Sequence, residues 1–282
     1  MNYRHAYHAG NIGDVLKHIV LSLIIEHLKL KPTSFRIIDT HAGIGVYDLT
    51  SEEAHKTEEW HNGVGKLYPT TFPDEIEVLI APWRQVIESL NPGGVLNNYP
   101  GSPFVSAHLM RPGDRLLALE LHPEDHAKLT KRFSRDKRVK AIHLDGWLAL
   151  KSFLPPKENR GLVLIDPPFE ETDEFGRLAE ALRIGTKRWT NGIFAFWYPI
   201  KNTRESEAFY DALKETGIKK ALKLELATGK PHATGTMRAS GMIIVNPPWQ
   251  LKSQMELLLP FLADQLSTGQ DSFHQVEWLI EE

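Results

Sequence analysis

Four short apolar runs, FRIIDT, RLLALE, VKAIHLDG and GLVLIDPP, each stop on an acidic residue, at Asp39, Glu120, Asp145 and Asp166. Segments with helical spacing stand between them: GSPFVSAHLM before RLLALE, PEDHAKLTKRF before VKAIHLDG, and WLALKSFL before GLVLIDPP. Strands that alternate with helices are joined by right-handed crossovers, which lay the strands side by side and parallel. The pattern runs on through a helix in EFGRLAEALRIGTKR, a strand in GIFAFWYP and a helix around ESEAFYDALKET. The last two strands, KKALKLELA and GMIIVNPP, have no helical segment between them and are expected to form an antiparallel hairpin. The predicted fold class is α/β, a mostly parallel, doubly wound sheet ending in that hairpin.

Two segments flank this pattern. In NIGDVLKHIVLSLIIEHL, Asn11 reads as a cap with Asp14 three residues on, and the apolar spacing predicts a helix from Ile12 to Leu28. HAGIG, after the first strand, makes a tight turn with Gly43 and Gly45. Residues 48–100 mix acidic helical turns, prolines and glycines without a strong strand, and read as an inserted, mostly helical subdomain. Residues 1–47 and 101–282 then form the main domain. A chain of 282 residues, 41% of them hydrophobic, can bury one large core.

Composition excludes several kinds of function. No cysteine is present, which removes disulfides and thiol nucleophiles and fits a reducing compartment. MNYRHAYHAGN has no apolar h-region, and the long apolar stretches are broken by His, Lys or Asp, so no membrane partner and a cytoplasmic location are expected. The net charge of −3 is not that of a polycation coating nucleic acid, so any such contact needs a local patch. KLTKRFSRDKRVK and RIGTKRW are basic enough, yet each read alone is a solvated helix face.

In an open parallel sheet, ligands bind at the carboxyl ends of the strands, where all four acidic residues arrive. Neither GxGxxG nor GK[ST] follows the first strand; DTHAGIG stands there instead. Its glycines admit a ligand close to the backbone, while Asp39 repels a pyrophosphate and suits a cation. S-adenosylmethionine fits: it carries a sulfonium and an ammonium, ribose hydroxyls for Glu120 and an adenine amine for Asp145. No metal site is expected. DPPF supplies the reaction type. The amine of adenine is a weak nucleophile because its lone pair is conjugated into the ring, and acceptors that hold its hydrogens favour the pyramidal nitrogen of the transition state. Asp166 and the carbonyl of Pro167 are suited to that, the prolines stiffen the turn, and Phe169 is expected to stack on a flipped-out base, worth about 1–3 kcal/mol. The second copy, NPPW at 246–249, is carried to the opposite sheet edge by its antiparallel strand. It reads as structural, with Asn246 capping the strand end and Trp249 packed.

YRHAYHAGN, DVLKH, DTHAGIG, YPGSP, LALELHP, DG, LVLIDPPF, WYP and SGMIIVNPPW, in this order, resemble the ribosomal RNA large subunit methyltransferase J family over essentially the whole chain. The resemblance implies a Rossmann-like class I S-adenosylmethionine-dependent methyltransferase fold with a small helical insertion, acting on N6 of an adenine in 23S ribosomal RNA. It implies cofactor contacts by His18, His41, Ser102, Glu120, Asp145, Gly146 and Asp166, with Asp166 also as proton acceptor, and an RNA contact by Tyr3. Without it, His18 and His41 would read as structural histidines. Phe169 departs from the family, where a Tyr is expected, which keeps the stacking and loses a hydroxyl. The chain is expected to act as a monomer. Tyr3, Arg4 and His5 have no apolar periodicity and are expected to order over RNA. Two alternatives stay open: a DNA adenine or protein-glutamine methyltransferase, weakened by the lack of an obvious target-recognition domain, and a catalytically silent S-adenosylmethionine-binding ribosome-assembly factor.

Overall fold

The side chain of Asn11 accepts the N–H of Asp14 at 3.0 Å and starts helix α1, Ile12–Lys29. Every residue from Ile12 to Ile25 is buried, so the helix is enclosed on all sides and its Asp14, Lys17 and His18 need partners inside the protein. The computed structural model describes residues 4–170, 173–230, 237–269 and 271–281.

Strand β1, Arg36–Asp39, follows α1, and β2, Val46–Asp48, leads into helices α2, Glu52–Thr57, α3, Val64–Leu67, and α4, Asp74–Leu90. The chain returns through β3, Asn98–Pro100, which pairs antiparallel with β2, Tyr99 opposite Tyr47. This strand pair was not anticipated from sequence, because three residues carry no periodicity. Helix α4 buries Ile76, Ile80, Trp83, Val86 and Ile87 in the same apolar cluster as α1.

Beyond β3 come α5, Ser102–Leu109, β4, Arg115–Glu120, α6, Pro123–Phe133, β5, Val139–His143, α7, Ala149–Ser152, and β6, Gly161–Ile165. Then follow α8, Glu174–Arg188, β7, Ile193–Pro199, α9, Thr203–Glu215, β8, Ala221–Ala227, β9, Ala239–Val245, α10, Leu251–Leu266, and β10, Phe273–Ile280. WLALKSFL was expected to be one helix and is a 3-10 turn, Gly146–Leu148, followed by the single turn of α7.

Eight strands form one sheet in the order β10-β8-β9-β7-β6-β1-β4-β5. The pairs β5–β4, β4–β1, β1–β6 and β6–β7 are parallel, and β9 lies antiparallel between β7 and β8. This is the predicted doubly wound sheet with its terminal hairpin. Leu162 and Leu164 of β6 face the cluster that holds α1, α4 and α10, while Val163 and Ile165 face the cluster under α8 and α9. A strand buried on both faces reads as an unbroken apolar run, as GLVLI does. Helix α10 and strand β10 went unread: Pro260 interrupts the first, and the second is a half-exposed edge strand on β8. Among the described residues, no helix is long and apolar enough to cross a membrane.

Candidate active site

Strand β1 has β4 on one side and β6 on the other, so the winding reverses between β1 and β6 and opens a crevice at their carboxyl ends. A cavity of about 280 Å³ lies there. His18, His41, Ser102, Glu120, Asp145, Gly146, Asp166 and Pro167 all line it. Phe169 lines a neighbouring cavity, and Tyr3 lies outside the described residues.

Close loop packing shapes the crevice. At Gly43, with φ 62°, a Cβ would stand 2.1 Å from the Tyr47 hydroxyl, and at Gly146 a Cβ would stand 2.2 Å from the Thr40 carbonyl. Only glycine allows these approaches. Glu120 accepts the N–H of Gly43 at 2.9 Å and that of His122 at 2.7 Å, which orients it, while burial raises its pKa. Asp145 accepts the N–H of Trp147 through Oδ1 at 2.9 Å, leaving Oδ2 for a ligand. Burial first, and then the charge of Arg177, holds His41 neutral, with a pKa down at about 3.

Asp39 departs from the expectation of four acids facing one ligand. It is fully buried, and its Oδ2 accepts the Ser102 hydroxyl at 2.7 Å. Burial pushes its pKa up to about 7, with the nearby charge of Asp166 adding to the shift and the Ser102 hydrogen bond opposing it. Its Oδ1 has no hydrogen-bond partner among the described residues.

Lys17, which sequence reading passed over, is the central cation. Asp14, Lys17 and His18 stand at i, i+3 and i+4 on one face of α1. The Lys17 ammonium donates to Oδ2 of Asp166 and lies 2.8 Å from Oδ1 of Asp14. Burial opposes its charge, but the two carboxylates outweigh that and raise its pKa. Asp14 also accepts the Gly10 N–H at 2.8 Å and meets His5 Nε2 at 2.9 Å. Its burial favours the neutral acid, and the charges of His5 and Lys17 override this and hold its pKa well below the usual carboxylate range. The signal was present in DVLKH, where charges interrupt an otherwise apolar helix.

The N-terminal segment, expected to order over RNA, is docked on the protein itself at Arg4 and His5. Arg4 pairs with Glu124 at 3.1 Å and Asp125 at 3.0 Å, and His5 lines the cavity. His5 reaches the buried Asp14, a contact that apolar periodicity does not reveal.

A second cavity of about 300 Å³ shares the Pro167–Pro168 wall with the first and is lined by Phe169, Trp197, His8, Glu59, Lys201 and Arg238. Phe169 takes a left-handed backbone, φ 52°, a strained state for a bulky residue of the kind that gathers at working sites. Its ring is edge-on to Trp197 at 6.0 Å and to Phe175 at 5.2 Å, part of an aromatic wall where an open plate was expected. The Lys17 ammonium, which lines the first cavity, lies 5.8 Å from the ring centroid of Trp197, which lines the second.

The twin turn behaves differently. In NPPW the left-handed residue is the first, Asn246, with φ 52°. Its amide donates to the carbonyls of Thr190 at 2.9 Å and Gly192 at 2.8 Å, on the sheet edge opposite the crevice. Trp249 was expected to pack and is instead 77% exposed.

Residues 32–280 match the family model described as "Ribosomal RNA large subunit methyltransferase D, RlmJ". The chain belongs to this family. It is 44% identical over 284 residues to "Ribosomal RNA large subunit methyltransferase J" of Haemophilus influenzae (strain ATCC 51907 / DSM 11121 / KW20 / Rd), with 100% of both chains covered. Against the protein of the same name from Escherichia coli (strain K12), identity is 41% over 283 residues, again with 100% of both covered. A crystal structure of protein LPL1258 from Legionella pneumophila str. Philadelphia 1 superposes with a TM-score of 0.88 at 32% identity, covering 96% of this chain and 98% of that one. The J-family relationship read from the short motifs therefore extends over the full length, including residues 48–100.

Proposed function

We propose that this family member transfers a methyl group from S-adenosylmethionine to N6 of an adenine in 23S ribosomal RNA. The observation that carries the proposal is the wall formed by Pro167 and Pro168, which separates a polar, acid-lined cavity, with Asp166 on its side, from one walled by Phe169 and Trp197. A cofactor on one side and a base on the other would meet across DPPF. The names of the two relatives support large-subunit ribosomal RNA as the substrate.

The lining of the first cavity fits the cofactor. Glu120 would hold the ribose hydroxyls and Oδ2 of Asp145 the adenine amine, with Gly146 allowing close approach. His18 Nε2 and Asp39 Oδ1 are buried without hydrogen-bond partners among the described residues, and buried polar atoms of this kind mark where a polar ligand completes the bonding. Ser102 orients Asp39, and His41, neutral and edge-on to Trp147 at 5.6 Å, adds a wall. S-adenosylmethionine, when bound, supplies an electrophilic methyl group.

The chain's own groups then act on the target amine. Lys17 occupies Oδ2 of Asp166 and fixes the carboxylate plane, leaving Oδ1 to accept one amine hydrogen while the Pro167 carbonyl accepts the other. Held in this way, the nitrogen gives up conjugation with its ring and becomes nucleophilic. Asp166 takes the proton that leaves. Phe169 and Trp197 would grip the base, and Tyr3 and the basic pair Lys201 and Arg238 would contact the strand around it.

The test is transfer of labelled methyl from S-adenosylmethionine to 23S ribosomal RNA, duplex DNA and protein, followed by digestion to nucleosides. Label in N6-methyladenosine from RNA is expected. Label only in DNA or protein, or thermal stabilisation by the cofactor with no transfer to any substrate, would replace the proposal with one of the two alternative readings.

The same assay separates the twin turns. Asn246→Ala is expected to lower stability by about 2–3 kcal/mol, combining two lost hydrogen bonds with an L side chain forced into the left-handed region. Asn246→Gly, which relaxes the backbone, should lose about half of that. Thermal melts read both, and both variants should methylate at the wild-type rate.

A further inference from the structure

We infer that Tyr99 is a positioning residue that holds His18 as its Nε2–H tautomer, so that the ring presents a hydrogen-bond donor to the cofactor cavity. The donor's role rests on the cofactor reading above; the wiring of the ring does not.

The Tyr99 hydroxyl lies 3.0 Å from His18 Nδ1, and the two rings stack at 5.5 Å with 29° between their planes. Both side chains are buried, Tyr99 at 0% and His18 at 1% exposure, so each polar atom must find a partner inside the protein. Burial raises the Tyr99 pKa well above 10, so its O–H always carries a proton to give. Burial also holds His18 neutral, with a pKa of about 3, so one ring nitrogen always has a free lone pair.

The other nitrogen decides which one. His18 Nε2 is 3.9 Å from Oδ1 of Asp14, too long for a hydrogen bond but close enough for charge to matter. Asp14 is held ionised by His5 and Lys17, and an anion favours an N–H over a lone pair on the atom facing it. The proton therefore sits on Nε2, Nδ1 accepts from Tyr99, and Nε2–H is the donor with no partner among the described residues. His18 lines the cavity, where the matching acceptor is an oxygen such as the carboxylate at the amino-acid end of the cofactor. Tyr99 is carried by β3, the strand by which the helical segment returns to the sheet. That segment thus contributes to the cofactor site through the atom that orients His18.

The experiment uses full-length protein with 15N-labelled histidine, the His18 ring being assigned by difference from His18→Gln. Long-range proton–nitrogen correlation should place the wild-type proton on Nε2. Tyr99→Phe keeps the stacked ring and removes only the hydroxyl, so the Nδ1 resonance should move to the position of an imine nitrogen with no hydrogen bond. Calorimetry should show S-adenosylmethionine binding weakened by about tenfold, with the turnover rate at saturating cofactor within about twofold of wild type. A wild-type proton on Nδ1, an unmoved Nδ1 resonance in Tyr99→Phe, or unchanged cofactor affinity in that variant would each overturn the inference. Wild-type protein that fails to bind S-adenosylmethionine would overturn the cofactor reading instead, while the ring spectra would still decide the wiring.

Discussion

Asp166→Ala is expected to lower methyl transfer at saturating cofactor by about 10³-fold or more, because it removes both an acceptor for the target amine and the group that takes its proton. Cofactor affinity should stay within a few-fold, since Glu120, Asp145 and His18 are untouched. The sequence alone predicts that stability is nearly kept. The structure changes that expectation: the buried Lys17 loses one of its two carboxylates, and about 1–3 kcal/mol should go with it. Asp166→Asn, which keeps the volume and one acceptor oxygen, should be more stable than Asp166→Ala and similarly slow. Turnover rates, calorimetric titration and thermal melts together test this. Cofactor binding lost in proportion to activity would show that Asp166 belongs to the cofactor site and not to the reaction.

The second large effect belongs to Lys17. Lys17→Met should slow methyl transfer by about 10²-fold, because a carboxylate displaced by even a fraction of a bond length no longer meets the amine in line. It should also destabilise the protein by about 3–5 kcal/mol, since the buried Asp14 and the partly buried Asp166 lose their shared cation. These two consequences separate in the double variant Asp14→Asn, Lys17→Met. Removing the Asp14 charge should restore much of the melting temperature and none of the rate, because Asp166 still lacks its partner. A double variant that regains activity together with stability would show Lys17 to be only structural.

Much of this arrangement is legible from residues read in order. The alternation of β-rich and helical segments requires crossovers, and crossovers require parallel strands whose ends share one edge; that places Glu120, Asp145 and Asp166 around one cavity before any coordinate is known. The absence of a helix between KKALKLELA and GMIIVNPP sends Asn246 to the other edge, where it is found bonded to Thr190 and Gly192. The two tetrapeptides look alike, yet their backbones differ, with the left-handed residue first in one and last in the other. Helix α10 and strand β10 were missed for local reasons, an internal proline and a half-exposed edge. Phe169 lies on the DPPF turn, but its partners Phe175 and Trp197 come from elements whose packing no local pattern specifies.

By itself, the sequence determined periodicity, and through it which faces are buried, which strands run parallel and which strand ends meet. Tertiary structure decided how the buried charges are satisfied. Lys17 meets Asp166 across 149 residues, Asp39 withdraws behind Ser102, and His5 docks on Asp14. The physical reason is that apolar burial is nondirectional and repeats along the chain, so it leaves a readable pattern. A buried charge needs one particular partner within a few ångströms, and only the folded chain selects it.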